Sequence, residues 1–191
     1  MLIEGNFQGK RKTVSLDSNG QLVIGGVSGN SDIISGTFTR PNNTTTYSAY
    51  DVVSDNATTT TLVELQNVGR TEGGTGYITE IRIVANQKSI SPRFRVHFFN
   101  ASNPTVASDN NTHKELYADT SKRLGYWIMP AMDTAADTAN SDMSRSSDLT
   151  VKMPFKCASN STSLYVMLET LDGFTPTALC AFTIIVGIDR N

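Results

Sequence analysis

The feature that most constrains the fold is the alternation of apolar and polar residues in short runs along the chain. Residues 94–98, 164–168 and 182–188 each place an apolar side chain at every second position. Successive side chains of a β-strand point to opposite faces, so these runs predict strands that bury one face. The chain is therefore expected to be built mainly from strands.

Turn signals rich in Gly, Pro, Asn and Asp separate these runs. About eight strands result, with no convincing amphipathic helix, and this pattern is typical of an all-β fold. We predict a two-sheet antiparallel sandwich that is jelly-roll-like, with an extended N-terminal arm. Residues 77–84 are expected to bury Thr79, Ile81 and Ile83, and to form a hairpin with residues 93–98. That hairpin would place Arg82, Arg93, Arg95 and His97 on one outer face.

The chain divides by pattern into an arm, residues 1–35, and a β-sandwich body, residues 36–191. The arm has short apolar pairs between glycine turns, and Val14 and Leu16 precede the turn signal at residues 17–20. Leu22 to Ile24 follow, which predicts a short hairpin. Such a segment buries little apolar area alone, so we expect it to become ordered against a neighbouring subunit.

The charge and the length of the apolar runs argue against two classes of partner, nucleic acid and membrane. The net charge is −2, and charged residues are only 18% of the chain, so the basic face that nucleic-acid binding requires is missing. The run Lys10-Arg11-Lys12 is too short for such a face and is interpreted as solvated. No apolar run reaches the ~20 residues of a membrane span, and Met1 to Gly5 lack a signal-peptide pattern. We expect a protein made in the cytoplasm.

Two cysteines, Cys157 and Cys180, lie in apolar, strand-like surroundings. They fit either free thiols that pack as small hydrophobic groups or a pair, if their strands are neighbours. The sequence leaves this choice open.

Residue patterns that are typical of catalytic sites are sparse in this sequence. His97 and His113 are the only histidines, and no serine lies in a Gly-x-Ser-x-Gly turn, so no hydrolytic triad is indicated. His97 is interpreted as an outward strand residue. We predict that the chain is not an enzyme and has no catalytic, cofactor-binding or metal-binding residues.

Several weaker patterns fit ordinary structure better than chemistry. The loop residues Asp109, His113 and Glu115 resemble a metal site, but their spacing is not that of a known compact site. The set Asp133, Asp137 and Asp142 lacks the spacing of a calcium loop. Both groups are expected to be solvated.

Three further patterns also fit ordinary structure better than chemistry. Acids that could pair for glycoside cleavage lie on predicted strands and are expected at the surface: Glu64, Glu80 and Glu169. Gly73 to Gly76 precede a strand rather than a helix, which favours a strand connection over a phosphate loop. Trp127 with Tyr126 offers a surface for stacking on a sugar, but a lone Trp in an apolar run is more typical of the core.

The body contains short blocks in a fixed order, which are Gly36-Thr37-Phe38-Thr39-Arg40-Pro41, Thr45-Thr46-Tyr47, Tyr50-Asp51-Val52-Val53, Leu65-Gln66-Asn67-Val68-Gly69-Arg70, Gly74-Thr75-Gly76-Tyr77-Ile78, Phe94-Arg95-Val96-His97-Phe98-Phe99, Pro104-Thr105, Asp109-Asn110, Leu124-Gly125-Tyr126, Leu164-Tyr165-Val166-Met167-Leu168-Glu169-Thr170 and Gly173-Phe174-Thr175-Pro176. In these blocks the chain resembles a family of tailed-bacteriophage virion structural proteins. Together the blocks span most of residues 36–188. The segment before Gly36 has no counterpart in the family.

The resemblance implies a location on the virion capsid, as a cement or decoration protein of the head. The expected partner is the major capsid protein, and a homo-oligomer, a trimer or a dimer, is expected. The contact residues that we predict are Phe7, Lys10, Arg11 and Lys12 in the arm, with Arg93 and Arg95 on the body. The alternative is a glycan-binding module of a tail fibre or spike, and a glycan-degrading enzyme ranks below it.

Overall fold

The computed structural model describes residues 3–7, 10–16, 22–23, 30–135 and 139–190, with side chains from Ser31 onward. The chain separates into two compact units, residues 1–30 and 31–191. The predicted boundary at residue 35 falls within a strand that spans Asn30–Thr39.

The first unit contains three strands, β1 (Ile3–Phe7), β2 (Lys10–Leu16) and β3 (Leu22–Val23), joined in the order β1-β2-β3. β2 and β3 pair antiparallel, with Leu16 opposite Leu22, at the position of the predicted hairpin. The turn predicted at residues 17–20 lies outside the described residues. An arm that becomes ordered on a partner stays a prediction.

The second unit contains ten strands within the described ranges and one short 3₁₀ helix. The strands are β4 (Asn30–Thr39), β5 (Val52–Val53), β6 (Val63–Leu65), β7 (Thr75–Ala85), β8 (Phe94–Phe99), β9 (Arg123–Ile128), β10 (Ser144–Asp148), β11 (Met153–Lys156), β12 (Leu164–Thr170) and β13 (Ala181–Arg190), and the 3₁₀ helix is Tyr117–Lys122. In the described residues no helix is long and apolar enough to cross a membrane.

These strands form two antiparallel sheets packed as a sandwich, which confirms the predicted fold class. The first sheet has the order β10-β7-β13-β4, and β11 also pairs with β7. The second sheet has the order β5-β12-β8-β9, and β6 also pairs with β12. All the strand pairs with a known register are antiparallel within the part of the chain that is described.

The core lies between the two sheets and is filled by the apolar positions that alternate in the sequence. Phe94 on β8 packs edge-on against Phe182 on β13, with ring centroids 5.7 Å apart, and Phe38 on β4 stacks on Phe182 at 5.6 Å. The predicted inward residues of β8, β12 and β13 are buried in this core, which confirms the alternation: Phe94, Val96, Phe98, Leu164, Val166, Leu168, Phe182, Ile184, Val186 and Ile188.

One strand departs from regular alternation. β7 buries Ile81 and Ile83 as predicted, but Ile78 rather than Thr79 completes the buried set. The register against β13 shifts between Gly187 and Ile188, so that Gly187 faces Glu80 and Ile188 faces Ile78. This bulge gives β7 an extra residue, which reverses the facing of the positions before it. The inward prediction for Thr79 was therefore wrong.

The predicted hairpin between residues 77–84 and 93–98 was also wrong. β7 belongs to the first sheet and β8 to the second, so the two strands bury residues in the core from different sheets and do not pair. Arg82 consequently lies on a different sheet from Arg95 and His97. Strands adjacent in sequence commonly pair, but in a sandwich the connection can instead pass from one sheet to the other.

The two cysteines are free and buried. Cys157 and Cys180 both belong to the core between the sheets. Burial raises the pKa of both thiols, so each packs as a small apolar group.

Candidate functional site

The second sheet is buried on the outer face of β8 and β12 as well as on its inner face. Residues 100–116, here called the covering loop, fold back over this outer face. A small apolar cluster forms beneath the loop from Val52, Leu62, Phe99, Ala107 and Met167. The loop is fixed by backbone hydrogen bonds to the segment before and along β5: Asn110 N–H donates to Val52 O, and His113 N–H donates to Tyr50 O, at 2.7 Å.

The covering loop brings His113 over two strand residues, His97 on β8 and Glu169 on β12. Both strand residues point outward, because they alternate with Val96 and Leu168 of the core. Their side chains are nevertheless only 2% exposed, and that of His113 is 7% exposed. The cause is the loop above them. We call His97, His113, Glu115 and Glu169 the histidine cluster.

The geometry of the histidine cluster is tight. His97 Nε2 lies 2.7 Å from Glu169 Oε2, and the two imidazole ring centroids lie 4.4 Å apart. Glu115 Oε1 is 3.5 Å from His113 Nε2 and 4.0 Å from His97 Nδ1. One nitrogen of each histidine and one oxygen of Glu169 lie within 4.8 Å of one another. Such an arrangement of buried imidazoles and a carboxylate can hold a proton or a metal ion.

Two arginines balance the carboxylates of this cluster. Arg95 Nη1 donates to Glu169 Oε2 at 2.9 Å, and Arg123 Nη1 donates to Glu115 Oε1 at 3.0 Å. The Arg95 guanidinium also lies over the ring of Tyr126, 4.7 Å from its centroid. Ion pairs therefore fix both carboxylates in place.

The surroundings change the proton affinity of His113 and Glu169. Burial lowers the pKa of His113, and the nearby His97 lowers it further. Burial by itself would raise the pKa of Glu169, but the hydrogen bond and charge of His97 and the charge of Arg95 hold that pKa below its ordinary value. Glu169 is thus kept as a carboxylate next to two imidazoles.

A second buried cluster includes Asp109, which precedes His113 in the covering loop. Arg40 Nε donates to the hydroxyl of Tyr47, that hydroxyl donates to Asp109 Oδ1, and Ser54 N–H donates to the same oxygen at 2.9 Å. The side chains of Arg40 and Asp109 are 0% and 1% exposed. Burial, followed by the hydrogen bond to Asp109, raises the pKa of Tyr47 strongly. We call Arg40, Tyr47 and Asp109 the buried ion-pair cluster.

These positions correct several predictions. Asp109 and His113 were expected to be solvated, and the side chains of both are buried, whereas the side chain of Glu115 is 56% exposed as expected. Asp109 is held apart from His113 and Glu115 by its ion pair with Arg40. Glu169 was expected at the surface, and it is buried. The sequence contained no local signal for its neighbours, since Glu169 and His97 meet only through the pairing of β12 with β8.

The two aromatic residues of the proposed sugar platform lie on opposite faces of β9. Trp127 packs against the core and donates from Nε1 to Asp148 at 2.9 Å, whereas Tyr126 is exposed on the outer face. They therefore do not form a joint stacking surface.

The predicted contact residues are found in both units. Phe7 lies on β1, and Lys10, Arg11 and Lys12 lie on β2, where Phe7 is paired with Lys10. On the body, Arg93 forms an exposed two-pronged ion pair with Asp172, at 2.9 and 2.8 Å, and Arg95 pairs with Glu169. Their role as contacts stays a prediction.

The remaining acidic and glycine-rich candidates from the sequence lie in ordinary structural contacts or on the surface. Glu64 accepts a hydrogen bond from Ser163, and Glu80 pairs with Arg82. Gly73, with φ of +68°, and Gly74 form the turn that leads into β7, as predicted for a strand connection. Asp133 forms an isolated bridge with Arg145 of β10. Asp133 and Asp142 are exposed, as expected, and Asp137 lies outside the described residues.

No model of a protein family, no curated protein and no solved structure matches this chain.

Proposed function

We propose that this chain is a structural subunit of a tailed-phage virion, a capsid cement or decoration protein that binds the major capsid protein shell. The proposal starts from the resemblance and is supported by where the resembling residues lie. Arg40, Tyr47 and Asp109 come from three separate blocks and meet in the buried ion-pair cluster. Phe174, from a fourth block, stacks on Tyr47 with ring centroids 5.0 Å apart. This convergence of blocks on one buried framework is the observation that carries the proposal.

The connectivity of the sheets supports a jelly-roll body. If β5 with β6, and β10 with β11, count as interrupted single strands, the body has eight strand positions. The order then pairs the first with the last, the second with the seventh, the third with the sixth and the fourth with the fifth. Such nested pairing is a long antiparallel hairpin wound into two sheets, and jelly rolls of this type are common in viral capsid proteins.

The outer face of β9, an edge strand, offers exposed apolar side chains as a surface for partner subunits. β9 lies at the end of the described strand order of the second sheet. Its Tyr126 and Ile128 are 52% and 49% exposed, and Tyr117, in the preceding 3₁₀ helix, is 95% exposed. Aromatic residues are enriched at protein interfaces, and an edge strand can add a strand from a neighbour.

A titration of the full chain onto shells tests the proposal. The shells come from a phage that encodes this chain and are prepared without it; binding is measured by sedimentation and shell stability by heating. Saturation at a fixed ratio to the shell protein, with a more heat-resistant shell, is the expected result. Failure to bind both expanded and unexpanded shells would overturn the capsid role, and a glycan-array signal would then favour the tail module.

A charge-reversal pair tests the arm as the contact. Arg11→Glu with Lys12→Glu is expected to weaken shell binding by at least about tenfold, because close interface charges contribute over about 1.5 kcal/mol. The matched control reverses two exposed lysines of the body, Lys152→Glu with Lys156→Glu, and should bind as the natural chain does. Equal weakening by both pairs would indicate only a general effect of charge.

A further inference from the structure

The histidine cluster has the ligands of a transition-metal site, although the sequence predicts no metal. Two imidazoles and one carboxylate form a ligand set that zinc uses when a fourth position is left to water. The three come from three separate segments, β8, β12 and the covering loop. Only their packing brings the ligand atoms within 4.8 Å of one another.

We propose that His97, His113 and Glu169 bind one transition-metal ion such as Zn²⁺. The proposal does not depend on the capsid role. In a tetrahedral site with zinc–ligand bonds of ~2.0–2.1 Å, neighbouring ligand atoms lie ~3.3 Å apart. His97 Nε2 and Glu169 Oε2, now 2.7 Å apart, need to separate slightly, and His113 needs to approach by a movement of the covering loop.

The neighbours of the ring nitrogens assign one nitrogen of each histidine to the ion. His97 Nε2 already faces Glu169, whereas its Nδ1 faces Glu115. His113 Nε2 faces Glu115, whereas its buried Nδ1 has no hydrogen-bond partner. An unpartnered buried nitrogen is unfavourable, and a metal ion would satisfy it. His97 Nε2 and His113 Nδ1 are therefore the assigned ligand atoms.

The groups that contact the three ligand residues resemble those around known metal sites. Metal-bound histidines commonly donate their other ring N–H to a carboxylate, and bound carboxylates are themselves hydrogen-bonded. Glu115 Oε1 lies 3.5 Å from the far nitrogen of His113, within hydrogen-bond distance, and 4.0 Å from the far nitrogen of His97. Arg95 donates to both oxygens of Glu169, at 3.2 and 2.9 Å. These contacts orient Glu169 and His113, and the hydrogen bond to Glu169 orients His97.

Charge and ligand type favour a transition metal over a hard cation. Arg95 and Arg123 neutralise Glu169 and Glu115, so the site has little net negative charge to attract calcium or magnesium. Those ions also require mostly oxygen ligands, whereas imidazole suits zinc, copper and nickel. A bound ion would connect the covering loop to both β8 and β12.

The proposal is tested by calorimetric titration of the full chain, which carries no histidine tag and has been treated with a chelator. ZnCl₂ is the titrant, and CaCl₂ is used for comparison. One equivalent of Zn²⁺ is expected to bind and raise the unfolding midpoint, with no saturable binding of Ca²⁺. His113→Gln should weaken zinc binding by at least about tenfold, since even the loss of an outer partner typically weakens binding by about 10–100-fold. Glu80→Gln, a matched change on the other sheet, should leave zinc binding unchanged.

A measurement on the natural chain covers the case in which His113→Gln does not fold. The imidazole ¹⁵N signals of His97 and His113 should both shift on addition of one equivalent of ZnCl₂. The proposal is overturned if zinc does not bind saturably, if a folded His113→Gln chain binds as tightly as the natural one, or if the two imidazole signals stay unchanged.

Discussion

At the scale of single residues, the buried ion-pair cluster is the most sensitive point of the body. Arg40 is fully buried, and its charge is compensated by Asp109, 69 positions further along the chain. A buried ion pair adds little net stability, but the loss of one partner leaves an uncompensated charge. The cluster also attaches the covering loop to the end of β4.

Asp109→Asn is expected to lower the free energy of unfolding by about 3–5 kcal/mol, because it leaves the Arg40 guanidinium buried without a carboxylate. Urea denaturation followed by Trp127 fluorescence measures this change. Asp133→Asn, at an exposed position, is the matched control and should change stability by less than about 0.5 kcal/mol. Equal effects of the two changes would contradict the role given to the cluster.

The ion pair between Arg93 and Asp172 gives a pH-dependent contribution to stability. Hydrogen bonds from Arg93 lower the pKa of Asp172 from 3.8 to about 2. A group with a lowered folded-state pKa stabilises the fold above its unfolded-state pKa, and loses that effect as the pH falls through the folded-state value. The stability difference between the natural chain and Asp172→Asn should therefore shrink from pH 3.8 to about pH 2. A difference that stays constant over this range would show that Asp172 acts without its charge.

The histidine cluster shows what a sequence cannot supply at this scale. The sequence identifies His97 and His113 as the only histidines, and it groups Glu115 with Asp109 and His113 in one loop. Glu169 was not connected to them, because its proximity depends on the pairing of β12 with β8. Its burial depends on a loop whose path has no sequence signature.

At the scale of elements, alternation predicted the strands but not their partners. The buried faces of β8, β12 and β13 follow from period-two patterns, which a strand imposes directly. The partner of β7 was predicted from proximity in sequence, and the sandwich instead places β13 beside it. The bulge at Gly187 was missed because an added residue shows no local pattern.

Gly187→Ala is expected to destabilise the body by about 1–3 kcal/mol, the range for overpacking. An added Cβ would lie 2.4 Å from Glu80 Cγ and 3.1 Å from Thr79 Oγ1. Glu80→Ala removes the closest atom, so Gly187→Ala should be less harmful in that background. Thermal unfolding of the four chains gives the double-mutant cycle, and an equal loss in both backgrounds would exclude a clash with Glu80.

At the scale of the whole molecule, the nested pairing makes the first sheet depend on distant parts of the chain. β13 lies between β7 and β4 and contributes Phe182, Ile184 and Val186 to the core. The second sheet faces this core from the other side. Neither sheet can bury its inner face without the other.

A chain that stops after Cys180 is expected to lack a cooperative unfolding transition, because β4 and β7 lose their shared neighbour. Circular dichroism during heating and the dispersion of amide NMR signals measure this outcome. A chain that stops after Arg190 is the control and should unfold as the natural chain does. A cooperative transition in the shorter chain would mean that β13 is dispensable for the fold.

The place of β13 also sets a time order during synthesis. β4 leaves the ribosome long before its neighbour β13 has been translated, so the first sheet cannot close while the chain is growing. Until then β4 and β7 have open edges that invite pairing with other chains. Translation products that break off early should therefore go to chaperones and proteases, and only chains translated through β13 would reach the folded state.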